Sequence, residues 1–594
     1  MFHALRSIAC AAVLSCGVLI SALSNESRTF EVMLPTRDDV LLHTRVVLPR
    51  DYDGTQRYTT IVDRSPYGYS DLEWIPDLFL PGGYATVGQD MRGTKESEGL
   101  FSIWHSDAND SEDLGDWIVQ QPWSDGKVYT FGASADGLGA FTTVENSPSW
   151  LGNQYFIWTS SIGYEVFYPQ GTMVWELIDS WIHGTVDGEW ADVCYEDIKK
   201  NEYYNEWWYA VDLSSRYDLV NFPSAFWAGW YDIFLVGNLA AYKGYNTESA
   251  ENVRYTSVLT IDPLGHCQSA AEFFPQDLIA GRTLLAFMQA YELYDIRPVA
   301  RTNVKNITFY VMSSNDQSGL ESANYWTSME TFPEPTMTDF FMHSDGTLST
   351  SAPESGLPSD SAESSVYTYD PADPVPTQGG NNLDMPCGPL DQAEIDQRSD
   401  VLVFQTPVQE SAVPMTGPLF ATLFVSSDAI DTDFMVRMSD VYPTGEVRLI
   451  QDSAIRMRWR DGGEVPVYMT PGEVYEVEIS LWNTSYVIAP GHSLRVAVTS
   501  SNAPRFSVNY NNGVLLKSAD PGPIIVANNV LYHSAQYPSR VRLPLVSMSQ
   551  LPKLDDIKME FERSVKGVDA DQLLAEHPDI LGKLAEYASK SKKV

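Results

Sequence analysis

One stretch constrains this chain more than any other: residues 128–139, Val-Tyr-Thr-Phe-Gly-Ala-Ser-Ala-Asp-Gly-Leu-Gly. Four strand-forming residues lead into Gly132, Ser134 sits between two alanines, and Gly137 and Gly139 open a segment of helical character. A strand that turns sharply into a helix lifts a serine hydroxyl above a sheet, and the turn tolerates only small side chains around it. Ser134 is therefore the first candidate nucleophile. The pattern departs from Gly-x-Ser-x-Gly, because Asp136 stands two places after the serine and the glycine arrives one later. The expectation for Asp136 is a side chain that points into solvent or caps the helix; facing the site instead, it would perturb a catalytic histidine or attract a substrate cation.

The flanking sequence alternates between strand and helix. Apolar residues alternate through 30–49, and further strands are expected at 58–62, 84–89, 225–230 and 257–261, with helices at 110–121 and 270–293. Residues 306–312 and 338–343 read as the last strands of the same sheet. Such alternation predicts a mainly parallel sheet covered by helices on both faces. Residues 148–221 break the rhythm: they are dense in Trp and Tyr without strand alternation, and read as a helical insertion placed to roof a pocket. A Ser-, Pro- and acid-rich linker at 349–365 leads to short alternating runs beyond 366, whose spacing suits a jelly roll. The fold class is thus α/β, an α/β-hydrolase domain with an inserted helical cap plus a C-terminal all-β jelly-roll domain. The expected boundaries are a signal peptide at 1–24, the hydrolase domain at 25–147 and 225–365, the cap at 148–224, the jelly roll at 366–550 and a helical extension at 551–594.

The first six residues carry net positive charge through Arg6, residues 8–20 are apolar, and Ala22-Leu-Ser24 supplies a cleavage pattern, which predicts a cleaved leader and a secreted protein. The apolar run is short for a bilayer span. Cleavage removes Cys10 and Cys16 and leaves Cys194, Cys267 and Cys387, enough for one disulfide whose pairing stays open. Asn25, Asn109, Asn306 and Asn483 each head an Asn-x-Ser/Thr triplet, usable if the host glycosylates. With 38 Lys and Arg against 79 Asp and Glu, the net charge of −41 argues against nucleic acid or an anionic membrane as a partner. No His/Cys/Asp cluster has metal-ligand spacing, so no metal and no cofactor is expected. The partner is a small ester, amide or peptide substrate; oligomeric state is open.

A serine needs a base to take its proton, and the base needs a carboxylate to orient it. In α/β hydrolases these follow in the order serine, acid, histidine, each after a strand. Here Ser134, Asp232 and His266 each follow an expected strand, in that order.

These residues lie within a longer series of motifs: Arg64-Ser-Pro-Tyr67, Gln89-Asp-Met-Arg-Gly93, Gln121-Pro-Trp-Ser-Asp-Gly126, Gly229-Trp-Tyr-Asp-Ile-Phe234, Pro263-Leu-Gly-His266, Cys387-Gly-Pro-Leu-Asp-Gln392 and Pro490-Gly-His492. The series resembles the cocaine-esterase-like serine hydrolases, relatives of X-prolyl dipeptidyl-peptidases and α-amino-acid ester hydrolases, over residues 29–546. The resemblance implies Ser134 as nucleophile, His266 as general base and then acid, and Asp232 as the group that orients the imidazole. It also implies an oxyanion hole from the Tyr67 hydroxyl and the Ala135 backbone N–H, with Phe234 lining the acyl pocket and Trp230 buttressing it. The family usually has Tyr where this chain has Ala135. Amino-ester hydrolases hold an α-ammonium with carboxylates shortly after the catalytic aspartate, whereas Phe234 and Leu235 stand there and imply a neutral acyl group. The reading is a secreted serine hydrolase acting on carboxylic esters, with amides as a further option, through an acyl-enzyme. The alternatives are an X-Pro dipeptidyl aminopeptidase, with an ammonium anchor among Asp187, Glu189, Asp192, Glu196 and Asp197, and a binding protein of impaired catalysis.

Overall fold

The computed structural model describes residues 28–68, 79, 82–275, 277–294, 303–354 and 363–589. The expected leader, with Cys10, Cys16 and Asn25, lies outside the described residues, as does the middle of the expected linker.

β1 (Arg28–Pro35) and β2 (Leu41–Leu48) form an antiparallel pair. β3 (Tyr58–Ser65) and β4 (Ala85–Asp90) run parallel, and β4 joins the hairpin through β2. From β3 the parallel sheet continues through β5 (Ser124–Ala133), β6 (Leu151–Ile157), β7 (Ser224–Gly229), β8 (Val258–Asp262) and β9 (Ile307–Ser313). β10 (Tyr325–Met329) closes that edge antiparallel to β9. Every residue of β7 and β9 is buried, as expected of parallel strands covered on both faces. The covering helices include α1 (Asp107–Val119) and α2 (Ala135–Thr142).

β6 lies inside the stretch expected to be helical, so the sheet runs one strand further before the insertion begins. Its pattern was hidden because Gln154 occupies a fully buried strand position. There its amide donates to Thr130 Oγ1 and the Ala140 carbonyl, 3.0 Å each. The cap proper carries α3 (Gly163–Phe167), α4 (Trp175–Thr185), α5 (Glu189–Lys200) and α6 (Glu206–Tyr209). Its aromatics serve both as its own core and as its seat: fully buried Trp208 packs on Tyr164, Phe167 and Tyr168, and Trp181 stacks on Trp104 of the hydrolase domain at 5.1 Å. The chain then returns to the sheet, where α7 (Leu235–Thr247) follows β7 and α8 (Asp277–Leu293) follows β8. α8 begins later than its apolar pattern predicts, because Pro275 separates it from a 3-10 turn at Gln268–Phe273. A short α9 (Gln317–Ser322) lies between β9 and β10.

A second correction concerns β11 (Thr336–Met342), expected in the hydrolase sheet. It pairs instead with Arg540–Leu545 in the β domain. Pro333 and Pro335 interrupt the chain after β10 and redirect it. The β domain packs two antiparallel sheets. In one, the long strand Val413–Ser427 pairs with Tyr475–Ile488 on one side and with Ala527–Tyr532 and Arg540–Leu545 on the other. The other orders Leu402–Gln405, Ser493–Thr499, Asp433–Val441 and Val447–Arg456. Hydrolase and β domain share a parallel bridge, Met312 and Ser313 against Tyr486 and Val487. The C-terminal segment supplies α10 (Ile557–Ser564), α11 (Ala570–Glu576) and α12 (Ile580–Ser589). It docks on α8: Ile580, Leu581 and Leu584 meet Ala286, Phe287 and Ala290. Among the described residues no helix is long and apolar enough to cross a membrane.

Candidate active site

Ser134 stands at the junction of β5 and α2 with φ 57° and ψ −128°, a backbone conformation that a non-glycine residue adopts only when its surroundings enforce it. The enforcement is visible in the glycines. A Cβ on Gly132 would come within 2.8 Å of Gly137, and a Cβ on Gly137 within 2.5 Å of Thr159. Gly137, three places after the serine, thus provides the close helix-to-strand approach. Ala135 opens α2, and the first N–H groups of a helix have no carbonyl of their own to meet.

The other half is built by the turns after β7 and β8. Asp232 is fully buried, and its Oδ2 accepts from His266 Nδ1 at 2.6 Å and from the His266 backbone N–H at 2.7 Å. Its Oδ1 accepts from the Phe234 N–H at 2.8 Å. One carboxylate therefore fixes both the turn and the ring, and leaves His266 Nε2 as the nitrogen without a partner among the described residues. Gly265 makes this approach possible, since at φ 59° a Cβ there would lie 2.3 Å from Asp232 Oδ2. The His266 turn is braced from below. Asp262 accepts from the Leu264 and Gly265 N–H groups at 2.7 and 2.8 Å, from Trp227 Nε1 at 2.8 Å and from Arg282 Nε at 2.7 Å.

Tyr67 follows β3, and its buried hydroxyl receives a hydrogen bond from Trp181 Nε1 of the cap at 2.9 Å. The same hydroxyl bonds the Ser134 side chain. Burial, reinforced by the Asp136 carboxyl, pushes the phenol above the ordinary tyrosine range, so it stays a neutral donor. The structure thus brings the expected residues together as two pairs, Ser134 with Tyr67 and Asp232 with His266. The pairs meet across the end of β6: Thr159 Oγ1 donates to the Ser134 carbonyl at 2.8 Å, and the Trp158 ring lies 5.4 Å from the His266 ring.

Phe234 packs against His266 with ring centroids 5.5 Å apart. Trp230 does not face this pocket. Its indole N–H reaches the Tyr310 carbonyl at 2.8 Å and its ring packs on Phe309, so it ties the turn to β9 inside the core. Asp136 also departs from expectation: it is 2% exposed and turned toward Asp63 and Ser65 of β3. A residue two past the elbow faces the neighbouring strand once the helix is pressed against the sheet. The five cap acids behave as a solvated face. Asp187 and Glu189 are exposed, and Asp192, Glu196 and Asp197 pair with His183, Lys199 and Lys200. Among the described residues no group of three or more His, Cys, Asp and Glu is placed to hold a metal ion.

Sequence reasoning counts Trp158 and Trp181 only among the insertion's many aromatics, and misses Thr159 and Asn381. Asn381 donates to the Asp232 carbonyl at 2.9 Å from the segment that enters the β domain. It also left open the disulfide, which joins Cys267, next to His266, with Cys387; Cys194 is free and buried. Only their proximity across domains settles the pairing.

Residues 38–192 match the family model of X-Pro dipeptidyl-peptidase (S15 family), and residues 302–542 that of the X-Pro dipeptidyl-peptidase C-terminal non-catalytic domain. The chain is 28% identical over 591 residues to the cocaine esterase of Rhodococcus sp. (strain MB1 Bresler), covering 88% of this chain and 99% of that one. The chain is a serine hydrolase similar to the cocaine-esterase-like family. Solved structures agree on the fold of this hydrolase. An α-amino acid ester hydrolase superposes with TM-score 0.75 at 22% identity, covering 89% of this chain and 98% of its own. An aminopeptidase from a marine sediment Thaumarchaeota archaeon superposes with TM-score 0.74 at 20% identity, covering 89% and 99%.

Proposed function

We propose that this hydrolase cleaves carboxylic esters of neutral acyl groups through an acyl-enzyme on Ser134. The observation that carries the reading is the Asp232–His266 pair, whose Nε2 is left without a partner among the described residues, at the same end of the parallel sheet as a serine held in an elbow. The Ser134 oxygen attacks the ester carbonyl carbon while His266 Nε2 takes the hydroxyl proton, and Asp232 stabilises the resulting imidazolium. The carbonyl oxygen becomes an oxyanion that meets the Tyr67 O–H and the Ala135 N–H. Collapse expels the alcohol, which leaves with the proton from His266. Water then repeats the sequence on the acyl-enzyme, releasing the acid and restoring Ser134.

Phe234 beside the histidine, and five candidate cap acids of which three are engaged in surface ion pairs and two are exposed to solvent, favour a neutral acyl group over an ammonium-bearing one. A disulfide in the body of the chain supports the expected export, since such bonds persist in oxidising compartments. The test is mass spectrometry after fluorophosphonate treatment of the protein and of Ser134→Ala, with turnover of short acyl esters and of X-Pro amides on the same samples. One adduct, on Ser134, with ester turnover lost in the variant is the expected result. Turnover confined to X-Pro amides with a free amine would transfer the reading to a peptidase, and folded protein without adduct or turnover would overturn catalysis altogether.

A further inference from the structure

Asp63 and Asp136 are each 2% exposed, on facing positions of β3 and α2. Both carboxyl oxygens of Asp63 and Oδ1 of Asp136 are buried without a hydrogen-bond partner. Among the described residues neither makes an ion pair: the nearest cation in sequence, Arg64, turns to Asp107. The groups around the pair are Ser65 and Tyr67 beside Asp136, and Tyr294 beside Asp63. None of them carries positive charge. Two carboxylates cannot both remain ionised in such a place, so the pair holds protons. Consistent with this, burial raises both groups well above the carboxylate range, and Asp136 raises Asp63 further.

The pair is wired to the site. The Ser65 hydroxyl hydrogen-bonds Asp136, and Ser65 Oγ in turn accepts the Tyr67 backbone N–H at 3.1 Å. We propose that Asp136 is a positioning residue, which stays protonated opposite Asp63, holds Tyr67 through Ser65, and lowers activity when it ionises. The protonated pair leaves the neighbourhood of the oxyanion neutral. An ionised Asp136 places a negative charge beside Tyr67 as a second negative charge develops on the substrate, and the transition state is penalised. Activity therefore falls on the alkaline side, as the pair loses its proton. This inference rests on Tyr67 as the oxyanion donor.

The experiment is the pH profile of kcat for a short acyl ester, pH 5 to about 10, for the wild type, Asp136→Asn and Asp63→Asn, each checked for thermal unfolding at every pH. In the wild type kcat should fall by about tenfold or more along an alkaline limb, the effect of one charge near the oxyanion. In Asp136→Asn that limb should vanish, whatever the absolute rate. Asp63→Asn, which removes the charge that the neighbouring carboxyl can carry, should move the limb to lower pH, and this arm decides if Asp136→Asn fails to fold. A wild type without an alkaline limb, an unchanged limb in Asp136→Asn, or an unmoved one in Asp63→Asn overturns the proposal. Ester turnover surviving in Ser134→Ala would instead overturn the catalytic reading beneath it.

Discussion

Removing the Tyr67 hydroxyl tests the oxyanion hole and the cap together. Tyr67→Phe keeps the ring in its buried seat and deletes one donor to the developing oxyanion, leaving Ala135 N–H as the other. Loss of one such donor is worth about 2.7–4 kcal/mol, or roughly 10²–10³ in kcat, with little change in KM. The structure adds a second consequence. The phenol oxygen accepts from Trp181 Nε1 at 2.9 Å, and Trp181 is itself buried, so the variant strands an indole N–H at about 1–3 kcal/mol of folding stability. Trp181→Phe is the complementary change. The Tyr67 oxygen has one proton to direct, and while Trp181 donates to it that proton turns away from the indole; without the indole the hydroxyl rotor is free. One hydrogen bond of about 0.5–1.5 kcal/mol then predicts a fall in kcat of roughly two- to tenfold. In the double variant the Trp181 effect on kcat should disappear, and stability should recover, since neither partner is left unpaired. Steady-state kcat and KM on a short acyl ester, with denaturant unfolding of all four proteins, make the measurement. A Tyr67→Phe kcat within about threefold of wild type, or losses that simply add, would refute the arrangement.

The remaining predictions probe what holds the site. Cys267→Ser/Cys387→Ser opens a link spanning 120 residues of sequence, which a chain-entropy argument values at about 4–5 kcal/mol. Thermal unfolding should shift down, kcat should drop as the His266 turn loosens, and reductant should then have no further effect. His492 is fully buried between Asp440, 2.8 Å from Nδ1, and Asp316, 3.0 Å from Nε2. Burial opposes its charge, but the hydrogen bonds and charges of the two carboxylates outweigh it, and its pKa is raised above the ordinary histidine value. Its contribution to stability is therefore complete below the unfolded-state pKa, about 6.5, and is lost as pH rises through the raised folded value. His492→Gln should cost stability in weak acid and progressively less in alkali; a cost independent of pH would exclude a charged His492.

What was readable from sequence followed local rules. Ser134, Asp232 and His266 stand just past β5, β7 and β8 because strand endings show in the alternation of apolar runs with Gly and Pro, and because their order along the chain is a property of the sequence itself. Side-chain direction past a strand end is not local. Phe234 and Trp230 flank the same turn, yet one meets the His266 ring while the other bonds the Tyr310 carbonyl. Asp136 belongs to the same class of surprise: only the strand lying opposite decides whether position two of a helix sees water or Asp63. β6 was hidden by Gln154, whose partners Thr130 and Ala140 turn a polar residue into a core one.

The second matching model describes a non-catalytic domain, and indeed no residue of the reaction proposed above lies there. The contacts show why the β domain nevertheless bears on the chemistry. The turn from Gly229 to Phe234, which carries Asp232, is gripped from the β-domain side at three successive residues. Gln451 Nε2 donates to the Trp230 carbonyl at 2.7 Å, the Tyr231 hydroxyl donates to the Leu449 carbonyl at 2.8 Å, and Asn381 Nδ2 donates to the Asp232 carbonyl at 2.9 Å. One residue past His266, Cys267 is covalently fixed to the same side. A carboxylate that must hold an imidazole at 2.6 Å cannot do so from a turn free to drift, and in this chain that turn has its anchors outside the hydrolase sheet. The cap makes the matching contribution to the other pair, through Trp181 on Tyr67. The hydrolase sheet supplies the groups proposed to react, and the cap and β domain each immobilise one half of them.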